Sequence, residues 1–173
     1  MDDLQQRPRV VVDTCVLLRA MCDSVYPEHR TSQSAISFNA LSMARREHAL
    51  CFSTATLEEA SYILGTSWCG SRDGPMRPEA RQQFVGRYIE PYILMVEPQP
   101  VARQCRDAKD QMFVEAAMGA GAAYVISADR DLLVLEREGA CRFVRPETFN
   151  CEMSERLRQQ QAAAKRRACA LTV

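Results

Sequence analysis

The stretch RVVVDTCVLLRA, residues 9–20, carries the strongest fold signal in the chain, because a β-branched run in it ends at an acidic residue. The run at residues 10–12 and the apolar stretch at 15–18 predict a strand covered on both faces, as in parallel sheets. Ligands of open α/β sheets bind beyond the carboxyl ends of such strands. Asp13 therefore stands where a functional side chain is expected.

Strands and helices alternate along the rest of the chain. Further strands are predicted at residues 49–52, 93–96, 123–127 and 141–144, helices within 34–50, 54–64, 78–89, 110–120 and 132–138, and loops at 22–33 and 65–78. This alternation predicts a three-layer α/β fold with a mainly parallel five-stranded sheet flanked by helices. We expect one domain over residues 1–150 and a C-terminal helical tail over 151–173.

The composition narrows the class of protein. The 173 residues carry a formal net charge of zero, so any affinity for nucleic acid must come from local patches. The eight cysteines include no CxxC pair, which excludes zinc-ribbon spacing. No stretch is long and apolar enough for a membrane span, so no membrane partner is expected. Reduced thiols in a cytoplasmic protein are the simplest interpretation.

Three further acids occupy positions comparable to that of Asp13. They are Glu59 in STATLEEASYIL, Asp110 in RDAKDQMFVEAA and Asp129 in AAYVISADRDLL. If the first and fourth strands are neighbours, all four side chains can converge on one edge of the sheet. Such a carboxylate cage would bind Mg²⁺ or Mn²⁺ in preference to zinc, and the ion would activate water for phosphodiester cleavage.

Each acid also has a purely structural explanation. Asp favours the turns that follow strands, which suits Asp13 and Asp129. Asp110 suits a helix cap, and Glu59 suits the first turns of a helix because of the helix dipole. Capping and metal binding are compatible, so the case for a metal site depends on the four acids taken together.

These four blocks, in this order and spacing, resemble PIN-domain nucleases over about residues 9–149, and most of all the VapC-like toxins of type II toxin–antitoxin pairs. The resemblance implies an Mg²⁺- or Mn²⁺-dependent ribonuclease acting on RNA, usually a homodimer, that pairs with a small antitoxin protein. The residues it assigns are Asp13, Glu59, Asp110 and Asp129 for catalysis and metal binding, Asp131 as a further metal ligand, and Thr14, Ser53 and Ser127 as supporting residues.

The chain departs from the family pattern at two places, which leaves alternatives open. Cys15 stands where Asn is common, and Ser127-Ala128 replaces the usual Thr-Gly. A nucleic-acid-binding or scaffold protein with a degenerate, inactive site is therefore the alternative function. A flavodoxin-like nucleotide binder is disfavoured because neither GxGxxG nor GxxxxGK[ST] occurs. A receiver-like domain suits the positions of Glu59 and Asp110 poorly.

Overall fold

The computed structural model describes residues 2–66 and 77–170, and a six-stranded sheet runs through that part of the chain. Its spatial order is β3-β2-β1-β4-β6-β5, and every neighbouring pair is parallel except β5 with β6. The strands are β1 Arg9–Val12, β2 Ala49–Phe52, β3 Ile93–Met95, β4 Tyr124–Ile126, β5 Arg137–Glu138 and β6 Cys141–Val144. The predicted α/β fold with a mainly parallel sheet is confirmed, with one strand more than expected.

The additional strand, β5, corrects the helix predicted over residues 132–138. The observed helix ends at Leu133, and Arg137 and Glu138 instead pair antiparallel with β6. Glu136 has a φ of 54° and Gly139 a φ of 56°, so the backbone turns on both sides of this two-residue strand. Left-handed residues at both ends form a tight reversal that a helix cannot accommodate.

Helices flank the sheet. They are α1 Asp2–Gln6, α2 Thr14–Val25, α3 Ser32–Glu47, α4 Thr54–Thr66, α5 Pro78–Tyr88, α6 Gln111–Ala120, α7 Arg130–Leu133 and α8 Pro146–Ala170. The apolar stretch at 15–18 lies in α2, and α2 extends to Val25, further than the loop predicted from residue 22 allows. Most of the loop predicted at 65–78 lies outside the described residues.

Two hydrophobic cores lie on opposite faces of the sheet. Val10 and Val12 point into the core formed with α2, α3, α4, α5 and the start of α8, whereas Val11 points into the core formed with α6. Successive strand side chains alternate between faces, so one short run contributes to both cores. All three valines are at most 3% exposed, which confirms a strand covered on both sides.

Helix α6 is fixed by two glycines with different roles. Gly121 is the C-cap with a φ of 59°, a left-handed conformation that ends the helix. Gly119 lies against the backbone of the preceding loop, where an added Cβ would overlap the carbonyl oxygen of Glu97. The close approach packs the C-terminal end of α6 against the loop that follows β3.

The C-terminal helix crosses the boundary expected at residue 150. Helix α8 begins at Pro146, and its first turns bury Phe149 and Met153 in the core, whereas most side chains from Glu155 to residue 167 are exposed. Within the described residues, no helix combines the length and apolar character needed to span a membrane.

The cysteines differ from expectation at one position. Cys22 is disulfide-bonded, so the expectation of uniformly reduced thiols is wrong there. The free cysteines among the described residues are Cys15, Cys51, Cys105, Cys141 and Cys151.

Candidate metal centre

The first and fourth strands are neighbours, as convergence of the acids requires. β1 and β4 pair in parallel with Val12 opposite Ile126, so Asp13 and Ser127 each follow directly beyond the carboxyl end of a strand. The backbone N–H of Asp13 donates to the carbonyl of Ile126 at 3.0 Å, and the Ser127 hydroxyl donates to Oδ2 of Asp13. The predicted edge of the sheet is therefore the place where these side chains meet.

Three carboxylates form a compact group at this edge. Oxygen atoms of Asp110, Asp129 and Asp131 all lie within 4.8 Å of one another. Asp110 directly precedes α6, while Asp129 is the N-cap of α7 and accepts a hydrogen bond from the backbone N–H of Asp131 at 2.7 Å. Asp129 is exposed and the other two are half-buried, so the group is open to solvent on one side and can hold a metal ion.

Electrostatic crowding extends the group to Asp13. The pKa of Asp110 is raised to about 6, first because burial disfavours its charged form and then because Asp129, Asp13, Asp107 and Asp131 repel it. Asp13 itself is only 6% exposed. The repulsion means that the acids favour a cation among them, since a bound positive charge would relieve the cost of ionising Asp110.

Glu59 is held beside the group through Thr14. The Thr14 hydroxyl donates to Oε2 of Glu59 at 2.7 Å, which ties α4 to the first turn of α2, next to Asp13. Glu59 is half-buried and its neighbour Glu58 is exposed, as expected for consecutive residues pointing about 100° apart on a helix. Of the four acids predicted to converge, Asp110 and Asp129 belong to the compact three-carboxylate group, whereas Asp13 and Glu59 stand outside it.

Ser53 lies at the start of α4 with its polar groups engaged in a local turn. Its backbone N–H donates to the Thr56 hydroxyl at 2.9 Å, and its own hydroxyl accepts from the Thr56 N–H at 3.3 Å. Only 1% of its surface is exposed. The described contacts of Ser53 are thus those of a helix-capping residue.

Cys15 contributes to the site in a way that the sequence does not reveal. Its thiol donates to Oδ2 of Asp13 at 2.9 Å, and its backbone N–H approaches Oδ1 at 3.3 Å. Burial, followed by the charge of Asp13, raises the pKa of the thiol to about 12, so the thiol is a protonated donor and not a metal-binding thiolate. Asp13 therefore accepts from Cys15 and from Ser127.

A second contact missed by the sequence is an ion pair between Arg106 and Asp131. The Arg106 side chain is 79% exposed, and that of Asp131 is 19% exposed. In the sequence, Arg106 lies next to Asp107, at the start of the third acidic block. That position indicates a basic residue near the acids, but it does not indicate a pair with Asp131. The pair gives Asp131 a cationic partner, and because Arg106 is mostly exposed the pair contributes little to stability.

Comparison with protein families agrees with this geometry, because a model described as PIN domain matches residues 9–131. The chain belongs to the PIN domain family. PIN domains are typically metal-dependent nucleases that bind nucleic acid, and this chain presents an acidic group that can hold a metal ion. No curated protein matches the chain significantly.

The donor set of this PIN domain suits a hard divalent cation. The compact group offers carboxylate oxygens alone, with neither histidine nor thiolate among its members. Oxygen-only donors favour Mg²⁺ or Mn²⁺, whereas zinc sites in proteins usually include nitrogen or sulfur ligands. The residues present thus fit the divalent ion that PIN domains use.

Proposed function

We propose that this PIN domain is an endoribonuclease that depends on Mg²⁺ or Mn²⁺ and cleaves RNA phosphodiester bonds. The observation that carries the proposal is the gathering of Asp110, Asp129 and Asp131 beyond the carboxyl end of β4, with Asp13 close enough to shift the pKa of Asp110. Carboxylates crowd in this manner when cations offset their repulsion.

The five acids of the proposed catalytic set have two roles. Asp110 and Asp129, with Asp131, would hold the ion, and Asp13 and Glu59 complete the proposed catalytic set. A bound divalent ion would lower the pKa of a coordinated water and stabilise charge on the phosphate.

Neighbouring donors fix the acids in place. Ser127 and Cys15 orient the carboxylate of Asp13, and Thr14 orients that of Glu59. Such orienting hydrogen bonds limit the rearrangement needed when an ion binds.

Cleavage of a labelled single-stranded RNA tests the proposal. We expect cleavage with Mg²⁺ or Mn²⁺, none with EDTA, and a loss of at least about 100-fold in Asp129→Asn and Glu59→Gln. Glu58→Gln is the matched control, because this exposed neighbour of Glu59 should leave the rate unchanged. The proposed chemistry is wrong if purified wild-type protein neither cuts RNA at any metal concentration nor binds metal.

The biological setting of the proposed activity is that of a toxin. On the resemblance to VapC-like proteins, we propose a cytoplasmic homodimeric toxin inhibited by a small antitoxin protein. Induced expression of the wild type should arrest growth, expression of Asp129→Asn should not, and co-expression of the gene immediately upstream should restore growth. Light scattering of the purified protein measures whether it is a dimer.

A second candidate function is RNA binding without cleavage, and Cys15 favours it. Its thiol occupies Oδ2 of Asp13 with a hydrogen bond, at the position where the family commonly has Asn. If the wild type binds RNA but does not cut it, and Cys15→Asn restores cleavage, this second function is the correct one. Cleavage by the wild type at a rate similar to Cys15→Asn would exclude it.

A further inference from the structure

A small polar cavity lies beside the acidic group, on the side of α3 and α8. Its volume is about 140 Å³, and its lining includes Arg19 of α2, Gln33 of α3 and Arg145, which connects β6 to α8. The cavity is thus lined by α2, by α3, by Ala128 between β4 and α7, and by the start of α8 with the residue before it. None of the residues proposed to hold the metal lines it.

The cavity carries an excess of positive charge. Neither the Arg19 nor the Arg145 guanidinium pairs with a carboxylate in the described part of the chain; Arg19 only approaches Oε1 of Gln33, at 3.4 Å. One carboxylate, that of Glu147, also lines the cavity, which leaves two guanidinium groups against one acid. The 25-residue helix α8 begins at Pro146 in the same wall and adds the partial positive charge of its N-terminus.

The cavity and the acidic group share one short segment of the chain, residues 127–129. Ala128 lines the cavity and stands between Ser127, which donates to Asp13, and Asp129. The Cys15 thiol donates to Asp13, and the charge of Arg19, which lines the cavity, acts on that thiol. An anion in the cavity and an ion held by the carboxylates would therefore be close neighbours.

We propose that the Arg19–Arg145 cavity binds a backbone phosphate of the RNA strand, one that flanks the bond being cut. This inference rests on the proposed ribonuclease function and adds a positioning site to it. Guanidinium groups match phosphate oxygens in bidentate geometry, and the Gln33 amide adds a neutral donor. An acidic centre repels the strand it must cut, so a nearby cationic cavity offsets that repulsion and fixes the register of the strand.

Binding of RNA in EDTA tests the cavity separately from cleavage. Fluorescence anisotropy with a labelled single-stranded RNA should give a Kd that rises roughly tenfold in Arg145→Gln and in Arg19→Gln. The slope of log K against log salt should fall by about 0.7 for each phosphate contact removed. Arg46→Gln is the matched control, because this exposed arginine lies in the last turn of α3, near the start of β2 at the opposite edge of the sheet.

A second measurement locates the phosphate along the strand. RNAs that each carry a single uncharged methylphosphonate linkage are scanned for binding to the wild type. We expect affinity to fall at one linkage beside the cut site, and Arg145→Gln to be insensitive at that same linkage. Circular dichroism of each variant verifies that the fold is retained.

The outcomes separate this inference from the proposed function. Suppose that the wild type cleaves RNA, and that both arginine variants show the same salt dependence of binding and the same response to each methylphosphonate linkage as the wild type. The cavity proposal is then wrong and the proposed nuclease function is retained. If the wild type neither binds nor cleaves RNA, both are wrong. If inorganic phosphate binds through Arg145 but the RNA profile does not depend on that residue, the cavity is a site for a free anion and the proposal fails.

Discussion

The hydroxyl of Ser127 donates a hydrogen bond to Oδ2 of Asp13, a residue 114 positions earlier in the chain. The same hydroxyl accepts from the backbone N–H of Asp129 at 2.8 Å. Ser127 is fully buried and Asp13 nearly so. One serine thus links the acid at the end of β1 to the acid that begins α7, and it sets their separation.

Replacing Ser127 by alanine should disturb both acids. We expect RNA cleavage or metal affinity to fall by roughly 10- to 100-fold, because groups that orient ligands typically have effects of this size. Stability should fall by about 1–3 kcal/mol, since the Asp129 N–H and Asp13 lose a buried partner. Urea denaturation and cleavage assays measure the two effects, with Ser61→Ala on the exposed face of α4 as control. Equal activity in both variants would show that Ser127 orients nothing of importance.

Neutralising Asp110 should have opposite effects without and with metal. Its pKa of about 6 lies above the ordinary value of 3.8. The folded protein therefore binds this proton more strongly than the unfolded chain does, and ionisation of Asp110 lowers the free energy of unfolding. In metal-free protein, Asp110→Asn should therefore gain stability relative to the wild type as pH rises from about 4 to about 6. We expect a plateau of ~1 kcal/mol, discounted because the group is partly exposed.

Added Mg²⁺ or Mn²⁺ should then stabilise the wild type and leave Asp110→Asn unaffected, because only a competent site gains stability from ion binding. Thermal unfolding with and without metal measures the difference. Glu155→Gln, an exposed acid on α8, is the control. A metal-free Asp110→Asn that is less stable than the wild type would indicate a structural carboxylate.

The neighbouring positions of β1 and β4 could be expected from the sequence, because Asp13 and Asp110 each stand next to a recognisable local pattern. A β-branched run ends at Asp13, and Asp110 precedes a strongly periodic helix. Convergence of the acids requires β1 and β4 to be neighbours, and the structure confirms this pairing. Strand and helix positions depend on patterns that repeat over several residues, and such patterns are visible in a single chain.

Two kinds of feature could not be predicted: contacts that depend on side-chain directions, and very short secondary-structure elements. The sequence offers no repeating pattern for either. The hydrogen bond from Cys15 to Asp13 and the ion pair of Arg106 with Asp131 follow from the orientation of side chains in three dimensions. The strand Arg137–Glu138 has two residues, too few to display a period.

His48 should make the fold sensitive to mild acid. It is fully buried beside Tyr124 and Phe149, and neither ring nitrogen has a hydrogen-bond partner among the described residues. Burial, assisted by the charge of Arg156, lowers its pKa from 6.5 to about 4. The folded protein thus binds the His48 proton less readily than the unfolded chain does. The free energy of unfolding is highest above about pH 6.5 and declines as pH falls towards 4.

The expected loss is about 2 kcal/mol of unfolding free energy between pH 7 and pH 5, from the difference between the two pKa values. Urea denaturation at a series of pH values measures it. In His48→Leu this part of the pH dependence should disappear. A wild type and a variant with parallel pH profiles would mean that the ring is protonated as easily in the folded state as in the unfolded one.

Gly119 should tolerate no side chain. A Cβ there would overlap the backbone carbonyl of Glu97, so Gly119→Ala should lose ~2–3 kcal/mol by forcing α6 away from the loop. Gly86→Ala is the matched control in α5, because its Cβ would meet only the flexible end of Glu90 at 3.7 Å. That variant should gain up to about 1 kcal/mol from helix propensity. Chemical denaturation measures the free energy of unfolding of both variants. If Gly119→Ala is as stable as Gly86→Ala, the close packing of Gly119 against Glu97 is contradicted.

Isothermal titration calorimetry with Mn²⁺ tests most directly whether the acids beyond β1 and β4 form a metal centre. The wild type should bind the ion with saturation, and the double variant Asp110→Asn, Asp129→Asn should show no saturable heat while retaining the same circular dichroism spectrum. Saturable binding of equal affinity in both proteins, or none in either, would contradict a metal centre at this edge of the sheet.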